Sequence, residues 1–85
     1  MSQTTSLDVK PLSRVETNVY LSIVAGEDVT IKGSKGKMTV WQIQGGKKYE
    51  VYSPVSEKVV RSFTYPIDAM SLAVKMAGGL ESWTM

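Results

Sequence analysis

Two adjacent glycines, Gly45 and Gly46, separate two runs of alternating character, Lys-Met-Thr-Val-Trp-Gln-Ile-Gln over 37–44 and Lys-Lys-Tyr-Glu-Val-Tyr-Ser over 47–53. A two-residue type I′ turn needs positive φ at both central positions, which Gly-Gly takes without a steric penalty. The pair therefore predicts a tight antiparallel hairpin. A turn of that length also sets the register: Ile43 opposite Lys48, Gln42 opposite Tyr49, Trp41 opposite Glu50, Val40 opposite Val51 and Thr39 opposite Tyr52. Side chains alternate across a strand, so this register sorts the hairpin into two chemically different faces. Val40, Gln42, Tyr49 and Val51 share one. Thr39, Trp41, Ile43, Lys48, Glu50 and Tyr52 share the other.

The remaining elements are read outward from this hairpin. Residues 58–64 are rich in β-branched and aromatic side chains and predict a further strand, after a loop marked by Pro54. The parity of that strand is mixed, since Val59, Arg61 and Phe63 lie on one side; a bulge would place Phe63 inside and Arg61 outside. Pro66 opens an apolar helix capped by Thr64 or Tyr65, which stops at Gly78-Gly79. Its polar side chains, Asp68, Ser71 and Lys75, form one narrow stripe, so most of its circumference has to be covered. Before the hairpin, Val19, Leu21 and Ile23 alternate with polar or smaller residues, which predicts a strand within 15–25. A turn at 25–28 leads to a second short strand over 28–32. Lys32-Gly-Ser-Lys-Gly-Lys37, with two glycines and three lysines in six residues, reads as a mobile loop with a positive tip. The expected architecture is α+β, an antiparallel meander of about five short strands with one C-terminal helix packed on it. Residues 1–14 read as a flexible arm, 15–80 as a single domain, and 81–85 as a tail whose Trp83 folds back or lies exposed.

Chemistry is narrowed mainly by what the chain lacks. It has neither cysteine nor histidine. Thiolate nucleophiles, the usual zinc sites and imidazole acid–base catalysis are therefore excluded. Gly36-Lys37 is followed by Met38 rather than Ser or Thr, which rules out a phosphate-binding P-loop. The Ser34-x-x-Lys37 spacing lacks the helix that would make it catalytic, and Glu27-Asp28 sit on a turn. We therefore expect no enzyme, no cofactor, no metal and no small-molecule substrate. No run reaches the length of a membrane span. The N-terminal residues lack the pattern of a signal peptide. Together with the absence of cysteine, this reads as a soluble cytoplasmic protein.

Charge gives the positive indication. The net charge is +2, but residues 32–48 hold five lysines and no acid, so that segment carries +5 and the rest of the chain 2 − 5 = −3. A segregated positive field attracts anions. With aromatic rings available for stacking, Lys35, Lys37, Trp41, Lys47, Lys48 and Tyr52 are the candidate nucleic-acid contacts. The competing expectation is that the first pair of strands covers Trp41, Ile43 and Tyr52. A protein-binding adaptor or inhibitor is the alternative function, working through a sheet edge or through a helix flank at Met70, Ala73 and Met76 that self-associates.

Over residues 37–78 the order strand, Gly-Gly turn, strand, strand and short helix resembles the small DNA-binding sheets of integrase arm-binding and AP2-type domains. That resemblance implies a sheet presented to DNA. The arginine-rich strands of those domains are absent here, where Arg61 is the one arginine in the matching stretch.

Overall fold

The computed structural model of the chain describes residues 12–85. Its elements are α1 (Arg14–Val24), β1 (Val29–Gly33), β2 (Gly36–Ile43), β3 (Lys48–Ser53), β4 (Lys58–Phe63), α2 (Pro66–Ala77) and β5 (Ser82–Thr84). The strands make one antiparallel sheet in the order β4-β3-β2-β1-β5. Both helices pack on the same face of it. Val19 and Ile23 of α1 and Ala69, Met70, Ala73 and Ala77 of α2 share one buried cluster with Val29, Ile31, Met38, Val40, Tyr49 and Val51 of the sheet. The α+β class expected from the sequence is the class the chain adopts, in two layers with one helix more than anticipated.

That extra helix corrects the expected first strand. Residues 14–24 are helical because Ser13 and Glu16 form a capping box. The Ser13 hydroxyl accepts the Glu16 N–H at 3.1 Å, and the Glu16 carboxylate accepts the Ser13 N–H at 2.8 Å. Reciprocal capping satisfies two of the unpaired donors at a helix start and stabilises it by about 1 kcal/mol. The apolar residues then fall on one stripe, with Val19 and Ile23 one turn apart and both fully buried. Leu21, which strand alternation places beside them, is 55% exposed. At the other end, the Gln42 side-chain amide donates to the carbonyls of Ile23 and Val24 at 3.2 and 2.9 Å. A sheet residue thus caps the helix and ties it to β2. Of the expected N-terminal arm, residues 1–11 lie outside the described residues. Ser13 caps α1 and Arg14 is its first residue.

The central hairpin has the register derived from its turn, from Thr39 opposite Tyr52 to Ile43 opposite Lys48. Gly45 (φ 66°, ψ 30°) and Gly46 (φ 87°) take the positive angles of a type I′ turn, closed by the Lys47 N–H on the Gln44 carbonyl at 3.3 Å. In β4 the register slips by one residue between Val51 and Tyr52, so Val60 is a bulge. The bulge falls ahead of Arg61 rather than after it. Arg61 and Phe63 consequently keep one parity, with the guanidinium 5.1 Å above the Phe63 ring at the exposed sheet edge.

The lysine-bearing loop is also not the mobile tip expected. β1 and β2 run nearly to its end, with Lys32 opposite Lys37 and Gly33 opposite Gly36, leaving only Ser34 and Lys35 as the turn. The turn is docked on the end of α2. The Lys35 N–H donates to the Ala77 carbonyl at 2.8 Å, and the Ser34 hydroxyl to the Gly78 carbonyl at 3.0 Å. Helix C-termini present unpaired carbonyls, and this hairpin supplies donors to them. Helix α2 itself follows expectation, with Tyr65 as N-cap, Pro66 in its first turn and a left-handed Gly78 as C-cap. The expected tail at 81–85 instead adds β5 to the sheet beside β1. Trp83 lies opposite Ile31 and packs against the core.

Candidate nucleic-acid interface

Among the described residues both helices lie on one face of the sheet, and no further element covers the opposite face. Its residues fall into rows across the strands. Ser82, Lys32 and Lys37 are aligned at one end. Next come Thr84, Thr30, Thr39, Tyr52 and Val59. The third row holds Trp41, Glu50 and Ser62, and the last Ile43 and Lys48. The expectation that Trp41, Ile43 and Tyr52 are covered by the first hairpin does not hold. The segment expected to cover them is α1, and it lies on the other side of the sheet.

The two aromatic side chains meet diagonally across β2 and β3. Their ring centroids are 5.0 Å apart, with the planes tilted by 33°. This is the offset geometry aromatic pairs prefer. The Trp41 indole N–H donates to a Glu50 carboxylate oxygen at 2.9 Å, which holds the indole in one orientation and occupies the acid carried by these rows. Beside them the hydroxyls of Thr30 and Thr39 are 3.0 Å apart. Trp41 and Tyr52 remain half-buried, while Lys32, Lys37, Lys47 and Lys48 are exposed.

The six expected nucleic-acid contacts are therefore not equally placed. Trp41, Tyr52, Lys37 and Lys48 share the open face, and Lys47 stands at the β2–β3 turn beside it. Lys35 is drawn away, because its backbone is bonded to the end of α2 and it sits at the junction of the turn with that helix. Lys32 takes its place, aligned with Lys37. The alternation around buried Ile31 carries this assignment, since Lys32 must point opposite to it. The expected helix-flank interface is divided by the fold. Met70 and Ala73 are buried in the core of the domain, whereas Met76 is exposed. A flank containing all three is not available to a partner, because the sheet already covers two of them. A shallow groove on the helix side, between Leu21, Ser22, Trp83 and Met85, has no lysine among its lining residues.

Among the described residues the other acids stand outside the five strands. Glu16 is on α1, Asp68 on α2, Glu57 in the β3–β4 turn and Glu81 just before β5. Glu27 and Asp28 precede β1. No protein-family model matches the chain, and comparison with curated proteins and with solved structures returned no match.

Proposed function

We propose that the chain is a non-enzymatic binding module that contacts nucleic acid through the open face of its sheet. Trp41 and Tyr52 are its stacking surface, and Lys37, Lys47 and Lys48 are its phosphate contacts. One observation carries the reading: the aromatic pair lies on the face opposite both helices, between lysines at the two ends of β2. Bases of any sequence stack on aromatic rings, and lysines alongside neutralise the backbone. A cytoplasmic setting belongs to the same proposal. Among the described residues no helix is long and apolar enough to cross a membrane.

Fluorescence anisotropy of labelled DNA and RNA across a salt series tests this. Affinity should fall steeply from low to moderate salt as counterions are released. Replacing Lys47 and Lys48 together by Ala should weaken binding and reduce the salt slope by about 1.4 to 1.8, since each phosphate contact contributes about 0.7 to 0.9. Absence of binding at the lowest salt would overturn the proposal.

A second reading is favoured by the sheet edge. Among the described residues β4 has no strand on its outer edge and exposes Val59 and Val60, with Val55 in the preceding turn 81% exposed. An edge of that kind can accept a strand from another protein or from a second copy of this chain. Such a contact would hold its affinity through the salt series. Sedimentation of the free protein would show the self-associating form.

A further inference from the structure

The open face also discriminates between forms of nucleic acid. Resting on the reading above, we propose that its ligand is a single strand, laid along β2 and β3. An unpaired base stacks on the Trp41–Tyr52 pair, with phosphates at Lys32 and Lys37 on one side and at Lys47 and Lys48 on the other.

Width supplies the first argument. Five strands at about 4.8 Å spacing make a surface roughly 19 Å across, wider than the ~12 Å major groove of duplex DNA. The aromatic pair sits on β2 and β3, which are flanked on both sides by further strands of the sheet. It cannot enter a groove unless those flanking strands enter with it. A β-ribbon docking of the kind suggested by the layout of residues 37–78 is therefore closed to this face. An unpaired base meets no such barrier.

Ring geometry supplies the second. A base inserted between two rings needs them about twice the ~3.4 Å stacking distance apart. At 5.0 Å and 33°, Trp41 and Tyr52 leave no such slot. They form one platform that takes a base on its outer side. The Trp41–Glu50 hydrogen bond holds that platform in place before any ligand arrives.

The third argument concerns charge. Lys32 and Lys37 are aligned directly across the β1–β2 pair, and like charges in that position destabilise a sheet. An anion shared between the two ammonium groups removes the repulsion. Six residue steps along β2 lead from Lys37 to Ile43, the partner of Lys48. At ~3.3 Å per residue this places the two lysine groups about 20 Å apart, a span of a few nucleotides with the rings between them.

The test uses the full chain carrying Trp83→Phe, so that Trp41 is the only tryptophan reporter. Emission is followed while twelve-residue oligo-dT, twelve-residue oligo-U and a blunt twelve-base-pair duplex are titrated at low salt. Either single strand should quench Trp41 and bind at least tenfold more tightly than the duplex. The relative affinities of the two identify whether the ligand is DNA or RNA. Lys32→Ala should weaken single-strand binding about as much as Lys37→Ala and lower the salt slope by ~0.7, whereas Lys35→Ala should change affinity by less than twofold. Trp41→Ala and Tyr52→Ala should each cost roughly tenfold, with circular dichroism confirming that the variants fold. Duplex binding as tight as single-strand binding would overturn this inference and leave the nucleic-acid reading standing. So would binding without quenching, or a Lys35→Ala effect equal to that of Lys32→Ala. No binding to any of the three ligands would overturn both.

Discussion

The two faces of the sheet are built from the same strands and do opposite work. On the covered face, Val29, Ile31, Met38, Val40, Tyr49 and Val51 of β1, β2 and β3 pack under α1 and α2. On the open face, the intervening residues are Thr30, Lys32, Lys37, Thr39, Trp41, Ile43, Lys48, Glu50 and Tyr52. Stability is concentrated on the first face because removal of apolar area from water is the dominant favourable term in folding. The second contributes little to that term and is correspondingly free to carry rings and uncompensated charge. The contrast implies that neighbouring residues on one strand should respond to substitution in different measurements.

Gly33 and Lys32 provide the most severe form of that contrast. A Cβ at Gly33 would lie 2.4 Å from the Gly79 carbonyl oxygen and 2.5 Å from that of Ala77. Both are backbone atoms at the end of α2 and cannot rotate away. An 85-residue domain has a total stability of about 4–13 kcal/mol. Gly33→Val should consume most of it, leaving a protein that melts below the temperature of the assay or fails to fold. Lys32→Ala, one residue earlier on the open face, should stay within about 0.5 kcal/mol of the parent. Urea denaturation followed by circular dichroism measures both. If Gly33→Val folds with near-parent stability, the docking of the first turn on α2 is not what holds that end of the sheet.

Ile31 and Thr30 repeat the comparison with a smaller effect. Ile31 is fully buried, so Ile31→Ala should cost about 2–5 kcal/mol through lost burial and the cavity left behind. Thr30 makes one hydroxyl contact with Thr39 on the open side, and Thr30→Ala should cost about 1 kcal/mol or less. Similar midpoints for the two variants would mean that the faces do not divide stability in this way.

The same division explains how much of the molecule was legible in the amino-acid sequence. The central hairpin could be read completely, because Gly45-Gly46 dictates a register and a register dictates faces. The end of α2 was equally clear from Pro66 and Gly78-Gly79. The first helix was not. Val19, Leu21 and Ile23 satisfy a two-residue period, and only the Ser13-x-x-Glu16 capping box argued for a helix. That mistake controlled the functional question, since the residues taken for a covering hairpin lie on the other side of the sheet. Local composition also misled at Lys32 to Lys37. Its glycines suggested mobility, but Gly33 permits close approach to the carbonyls of α2, a contact between positions far apart in the chain. Among the expected lysines, Lys48 was grouped with the rings by parity, and the register has it on their side of the sheet. Lys35 was misplaced because the docking of its turn is a tertiary fact.

The two hairpin turns give the finest test of the comparison. The Ser34-Lys35 turn is held by contacts, whereas the Gly45-Gly46 turn projects freely, with no atom within 4 Å of a Cβ placed at Gly45. A substitution at Gly45 therefore meets no steric obstacle and leaves only the cost of a left-handed backbone at φ 66°. For alanine that cost is about 1 kcal/mol. Asparagine adopts the left-handed region more readily than other L-residues, so Gly45→Asn should recover most of the loss. Neither change should alter the pairing of Trp41 with Tyr52, because the register beyond the turn is also fixed by the buried Val40, Tyr49 and Val51. Chemical denaturation measures the two stabilities, and the environment of Trp41 is read by its fluorescence in the folded proteins. Equal losses for alanine and asparagine would show that the turn is held by something other than backbone conformation. An unchanged Trp41 signal alongside the expected difference would establish that the turn selects the register while the covered face maintains it.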